Sequence, residues 1–277
     1  MNDAPRKPRI ALMGEFSAGK STLANLLLEQ DSSPVQVTAT QLPPVWYSLG
    51  PGTVERELAD GSTAPLPLDD WSAADPASTA MIRARIEADL LYAFDLVDMP
   101  GTCDPCMTSD VWSNVLAQVD MVIWCTPANQ AWRQSEAALW EQVRPELWTR
   151  SLLLVTRMDK MQSAPDRRRV LARVRLEAGE MFRDVLPIAL TGAIAGRDDA
   201  DVLEQTGAAA LVRFLETALD EGACAPPLPP APVCEPAPVP VAAPVPEPVP
   251  DAAGRVVPRR IQRSGEGRRE RPQAGVG

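Results

Sequence analysis

Eight residues near the start of this 277-residue chain restrict its fold more than any other feature. Gly14-Glu-Phe-Ser-Ala-Gly19-Lys20-Ser21, followed by Thr22, fits the pattern G-x-x-x-x-G-K-[ST]. A short apolar strand, Arg9–Met13, precedes it, and Lys20–Leu28 carries Leu23, Leu26 and Leu27 at helical spacing. The glycines let the backbone curl so that successive N–H groups point inward, and the helix start adds a dipole that favours an anion. In such a loop Lys20 reaches the β- and γ-phosphates of a nucleotide and the Ser21 hydroxyl ligates Mg2+.

The rest of the chain agrees with a strand–loop–helix start. Phe94–Val97, Met121–Cys125, Leu152–Val155 and Leu186–Leu190 are short apolar runs of the kind buried in a parallel sheet. Helical candidates lie between and after them, at Ser109–Gln118, Ala131–Val143, Asp166–Phe182 and Ala208–Leu219. Val45–Tyr47, Val54–Leu58 and Ile82–Ala88 read as further strands, with a hairpin signal at Asp60-Gly61. The expected architecture is a P-loop α/β fold: three layers, α/β/α, around a mainly parallel central sheet.

Residues 6–222 are expected to form one domain and residues 223–277 a disordered tail. From Ala223 to Pro250, 12 of 28 residues are proline, and Asp251–Gly277 holds seven arginines with little to bury. Neither stretch offsets the entropy of ordering it. The tail has a balance of +2 and the whole chain −10, which leaves −12 on residues 1–222. A domain so acidic repels phosphate backbones at long range, so nucleic acid is not an expected partner. The arginine-rich end remains a candidate for peripheral contact with an anionic membrane face. Gly14 and Glu15 interrupt the first apolar run before a signal sequence forms, no stretch has the length of a membrane-spanning helix, and five irregularly spaced cysteines suit a reducing compartment. A cytoplasmic protein is expected.

The choice between ATP and GTP rests on three later segments. Asp98-Met-Pro-Gly101 follows the strand ending at Val97; Asp98 suits the Mg2+ shell and the Gly101 N–H suits a γ-phosphate. Thr156-Arg157-Met-Asp159 follows Ser151–Val155, and the Asp159 carboxylate can accept two hydrogen bonds from guanine that adenine does not offer. Thr191-Gly192-Ala193 follows the run ending at Leu190, where backbone groups can meet the base oxygen.

These segments resemble the bacterial dynamin-like GTPases, over about 200 residues. The run Gly14–Thr22, Asp98–Gly101, Thr156–Asp159 and Val37-Thr38-Ala-Thr40-Gln-Leu42 carry the resemblance. It implies that Thr38 is the switch threonine closing on Mg2+ and γ-phosphate, with Thr40 the alternative. The implied metal ligands are Ser21, Thr38 and Asp98, and the implied catalytic groups are Ser17, Lys20 and Thr38. The nucleotide would be held by Gly14, Glu15, Phe16, Ser17, Ala18, Gly19, Lys20, Ser21, Thr22, Gly101, Thr156, Arg157, Asp159, Thr191 and Gly192. The family's monovalent-cation serine matches Ser17, which admits K+ beside Mg2+. The resemblance also implies pairing of GTPase domains, as a homodimer or with a larger dynamin-like partner.

The chain departs from the family at several points. Phe16 stands where the family has a glutamine that orients water, and the chain contains no histidine. Both departures imply slow intrinsic hydrolysis. Arg157 stands where lysine is usual, and its planar guanidinium differs from an ammonium. No segment after Glu221 has the composition of the family's helical stalk, which implies a small regulatory domain. Three functions compete: a GTP-hydrolysing switch, a GTP-gated interaction module with little turnover, and a P-loop ATPase with an incidental T-x-x-D.

Other features have ordinary expected roles. Cys103 and Cys106 read as thiols, with a redox switch the alternative. Trp132, Glu136, Leu139, Trp140 and Val143 share a side expected to pack on the sheet, with a dimer face the alternative. The arginines of Asp166–Phe182 read as a solvated face, with lipid or partner docking the alternative, and the prolines from Pro226 to Pro250 as a spacer or docking segment.

Overall fold

Alternating side chains on strands buried from both faces set the centre of the structure. In the first strand Ile10 and Leu12 pack into one apolar cluster and Ala11 and Met13 into another, all four fully buried. Such a strand needs helices on both faces, which is how a chain of alternating strands and helices hides it. The computed structural model describes residues 6–29, 42–102 and 109–222.

The strands are β1 (Arg9–Met13), β2 (Val45–Leu49), β3 (Thr53–Leu58), β4 (Thr63–Leu66), β5 (Thr79–Ile86), β6 (Asp95–Asp98), β7 (Met121–Pro127), β8 (Leu152–Thr156) and β9 (Asp184–Pro187). The helices are α1 (Lys20–Leu27), α2 (Leu90–Ala93), α3 (Ser109–Leu116), α4 (Gln134–Trp140), α5 (Pro145–Trp148), α6 (Ala164–Ala178), α7 (Leu190–Ala195), α8 (Ala200–Thr206) and α9 (Ala208–Gly222). The strands form one nine-stranded sheet in the order β4-β3-β5-β2-β6-β1-β7-β8-β9. From β6 to β9 every pairing is parallel. At β2 the direction reverses: β2 runs antiparallel to β6 and parallel to β5, and β3 and β4 complete an antiparallel edge.

The two clusters define three layers. On one face Leu23, Ala24 and Leu27 of α1 pack with Ala193 of α7 and Leu211 and Leu215 of α9. On the other, Val115 of α3, Trp140 of α4, Leu147 of α5 and Val174 and Ala178 of α6 pack together. The mixed α/β fold with its mainly parallel centre is therefore as expected. Gly61, at φ +82°, turns the chain between β3 and β4 in the left-handed region a non-glycine residue rarely adopts.

Three expected boundaries are corrected. The apolar run Leu186–Leu190 is not one strand: β9 stops at Pro187, and Leu190 begins α7. The Ile188 N–H still donates to the Val155 carbonyl at 2.9 Å, but the Ala189 N–H turns to the Thr206 carbonyl at 2.9 Å and the chain leaves the sheet. The helix expected from Ala131 begins only at Gln134, since Trp132 lies at φ +56°. The helix expected to reach Phe182 ends at Ala178 and gives way to a 3-10 turn, Gly179–Met181. Thr38, Thr40, Cys103, Cys106 and the whole segment 223–277 lie outside the described residues.

Candidate nucleotide site

The loop between β1 and α1 is shaped by contacts that admit only particular residues. Gly14 lies at φ +138°, and a Cβ there would fall 2.2 Å from the Cys125 carbonyl oxygen of β7. Gly19, at φ +96°, lies against Leu190 and Thr156. Between them Ser17 adopts φ +58°, and the Ala18 N–H donates to the Glu15 carbonyl at 3.2 Å. The Lys20 ammonium donates to the carbonyls of Gly14 and Glu15 at 3.0 and 2.9 Å, folded back over the loop that precedes it.

Asp98 comes to the same place from the end of β6. The Ser21 hydroxyl hydrogen-bonds its carboxylate, and the Lys20 ammonium lies within electrostatic reach. Burial nevertheless pushes the Asp98 carboxyl up to about 6, against the pull of both groups. Its Oδ1 is buried with no hydrogen-bond partner among the described residues. A buried carboxylate oxygen without a donor is costly. The hard oxygen donors of Asp98 and Ser21, side by side, are what Mg2+ requires, so the residues fit that ion.

The D-x-P-G segment closes on the loop from the side. The Met99 N–H donates to the Leu12 carbonyl and the Thr102 N–H to the Gly14 carbonyl, each at 3.2 Å. A Cβ on Gly101 would lie 2.9 Å from the Phe16 nitrogen and 3.0 Å from its Cα, so the absence of a side chain permits this approach. The Phe16 side chain points outward, 69% exposed, at the mouth of the site.

The T-R-M-D segment meets the loop from β8. The buried Thr156 hydroxyl donates to the Ala18 carbonyl at 2.7 Å. Arg157, itself at φ +56°, donates from its guanidinium to the Ser17 carbonyl at 2.6 Å. Asp159 lies in a 3-10 turn, Met158–Lys160, with its carboxylate 3.0 Å from the Lys160 ammonium. The Met158 N–H donates to the Ile188 carbonyl at 3.3 Å and fixes this turn beside the β9–α7 connection.

Thr191 and Gly192 sit in the first turn of α7, not in a loop after a strand. Gly192 faces α8, where a Cβ would meet the Thr206 methyl at 3.1 Å. The neighbouring Leu190, not singled out by its sequence, supplies the apolar contact with Gly19. The fold thus brings Gly14–Thr22, Asp98, Gly101, Thr156 and Arg157 together. Asp159 stands at the rim and Thr191 and Gly192 on the adjoining helix.

Sequence reading missed a second group around the loop. Both Glu15 carboxylate oxygens are engaged, one by Arg133 at 3.0 Å and one by the Ser135 hydroxyl at 2.9 Å. Behind them Glu136 is fully buried. It accepts from the Trp124 indole at 2.9 Å, the Thr126 hydroxyl at 3.0 Å and the Arg133 N–H at 2.9 Å. A carboxylate on the apolar side of a helix was the available signal. Trp124, Trp132 and Trp140 are buried around it with Phe182 in edge and stacked contacts, so they are core and not a dimer face.

Comparison with known proteins places this geometry. No family model matches the chain. Over 123 residues it is 31% identical to the isoniazid-induced protein IniC of Mycobacterium tuberculosis, in strains CDC 1551 and H37Rv; the match spans 41% of this chain and 25% of that protein's length. Two structures of an oligomerised bacterial dynamin pair, described in connection with long-range sensing and tethering of membranes, share the fold at TM-score 0.57. They are 22% and 21% identical, and the overlap takes in 78% of this chain and 36% of theirs. The resemblance to bacterial dynamin-like GTPases is thereby borne out: the chain is a distant homologue of IniC and carries the P-loop GTPase fold of a bacterial dynamin.

Proposed function

We propose that the chain is a Mg2+-dependent, GTP-binding and GTP-hydrolysing switch with a low intrinsic rate. The observation that carries this reading is the buried Asp98 oxygen, without a hydrogen-bond partner among the described residues, beside the Ser21 hydroxyl and the Lys20 ammonium and opposite a loop whose N–H groups suit phosphate. Asp98 and Ser21 would hold Mg2+, which supplies charge neutralisation on the phosphates; Thr38 is the proposed third contributor. Lys20 would turn from its two carbonyls to the phosphates. Gly101, set against the Phe16 backbone, is where a γ-phosphate can meet a backbone N–H, so GTP and GDP would be told apart there. Asp159 and the Thr191–Gly192 turn are proposed to read the guanine, and K+ is proposed as a charge-compensating ion near Ser17.

Residues 6–222 would act as one domain, and the arginine-rich end of the chain is proposed to contact partners or an anionic membrane face. No helix among the described residues is long and apolar enough to cross a membrane. The proposed setting is cytoplasmic, with pairing to a second copy or to a larger dynamin-like protein. The exposed Phe16 favours one second reading, a GTP-gated interaction module, because no side-chain polar group at that position can orient water. Turnover per molecule, measured with Mg2+ and K+ across protein concentrations, tests the choice. Activity that rises with concentration and vanishes in Lys20→Ala supports a switch completed by pairing. GTP bound without turnover above that control leaves the interaction module.

A further inference from the structure

The second residue of the phosphate-binding loop is a carboxylate, and its charge opposes the polyanion the loop is proposed to hold. Glu15 is partly buried, its side chain 12% exposed beside a half-exposed Arg133. Its backbone carbonyl accepts from the Lys20 ammonium at 2.9 Å. The charge is balanced from outside the loop. Arg133 donates to one carboxylate oxygen at 3.0 Å and the Ser135 hydroxyl to the other at 2.9 Å, 118 and 120 residues along the chain.

Arg133 is itself held in place. Its backbone N–H donates to the buried Glu136 carboxylate, which the Trp124 indole and Thr126 hydroxyl anchor to β7. The preceding Trp132 takes a left-handed conformation and donates its N–H to the same Thr126 hydroxyl at 2.9 Å. A continuous set of hydrogen bonds therefore runs from β7 through the start of α4 to the phosphate loop.

We infer that Arg133, acting through Glu15, is a positioning residue of the nucleotide site: it neutralises the loop carboxylate and draws it toward α4, away from the phosphates. This inference rests on the nucleotide-binding reading above. Arg133 touches no phosphate in this scheme, which separates it from a cation that meets the ligand directly.

The test is GTP affinity of the full chain with Mg2+ in four forms: unchanged, Arg133→Met, Glu15→Gln, and the double variant. Methionine keeps the apolar stem without the charge, so packing at the start of α4 is retained. Arg133→Met is expected to weaken GTP binding about tenfold, because it leaves the Glu15 charge without its cation beside an anion. In the Glu15→Gln background the same change is expected to cost less than about threefold, since there is then no charge to neutralise. Arg133→Lys should retain most of the affinity. If Arg133→Met weakens binding equally in both backgrounds, Arg133 acts on the ligand or on the fold directly and the inference is overturned. Unchanged binding in Arg133→Met overturns it too, with the nucleotide reading left standing. If the unchanged chain binds no GTP, both fall. Should Arg133→Met fail to fold, Arg133→Gln replaces it in the same comparison, with the same two results deciding.

Discussion

Gly101 separates closeness from bonding. Nothing holds it through a side chain, and its value lies in the 2.9 Å approach that a Cβ would make to the Phe16 nitrogen. Real Cβ atoms do not stand that close to backbone, so Gly101→Ala must move one loop or the other. The loss belongs to the ligand that uses the Gly101 N–H. GTP affinity should fall about tenfold while GDP affinity changes less than threefold, and global stability should fall by no more than about 1 kcal/mol. Parallel titrations with the two nucleotides and a urea melt check this. Equal losses for both nucleotides would remove Gly101 from the proposed γ-phosphate contact. Gly14 differs: the same substitution meets the Cys125 carbonyl at 2.2 Å and a positive φ, so it strikes the sheet itself.

The connection from β7 to α4 carries a charge into the core. Burial raises the Glu136 carboxyl above the usual carboxylate range, against the opposing effect of its Trp124, Arg133 and Thr126 donors. The folded protein therefore binds this proton at a higher pH than the unfolded chain does. The group's contribution to stability is fully present below the unfolded value, ~4.3, and declines as pH rises through the folded value. Urea unfolding of the unchanged protein and of Glu136→Gln over that range reads this contribution by difference. The stability of the unchanged protein relative to the variant should fall as pH rises; a difference that grows with pH would contradict the assignment. The hydrogen bonds lost in Glu136→Gln shift the whole difference by a constant, about 1–3 kcal/mol, without altering its slope.

At the scale of the whole molecule, legibility follows sequence distance. The β1–loop–α1 unit was readable because its chemistry is contiguous: Gly14, Gly19, Lys20 and Ser21 act within one turn of chain. Asp98, Gly101 and Thr156 were readable because each sits at the end of an apolar strand, where a parallel sheet gathers such ends. The β9–α7 boundary was not, because Leu186–Leu190 is uniformly apolar and carries no period to distinguish strand from helix. The Glu15–Arg133 contact was hidden by its 118-residue separation. The antiparallel edge was only half visible: β3 showed itself by its hairpin turn, whereas β4 is four residues long and contains Pro65.

The central claim is that these gathered segments bind a guanine nucleotide, and it is tested most directly by competition at equilibrium. A fluorescent GTP analogue would be titrated onto the full chain with and without Mg2+, then displaced by GTP, GDP or ATP, with Lys20→Ala and Asp159→Asn measured alongside. The account predicts tighter binding with Mg2+, displacement by GTP and GDP, and none by ATP at a comparable concentration. It also predicts binding lost in Lys20→Ala and guanine preference relaxed in Asp159→Asn. Displacement by ATP as effective as by GTP, or binding unchanged in both variants, would contradict it.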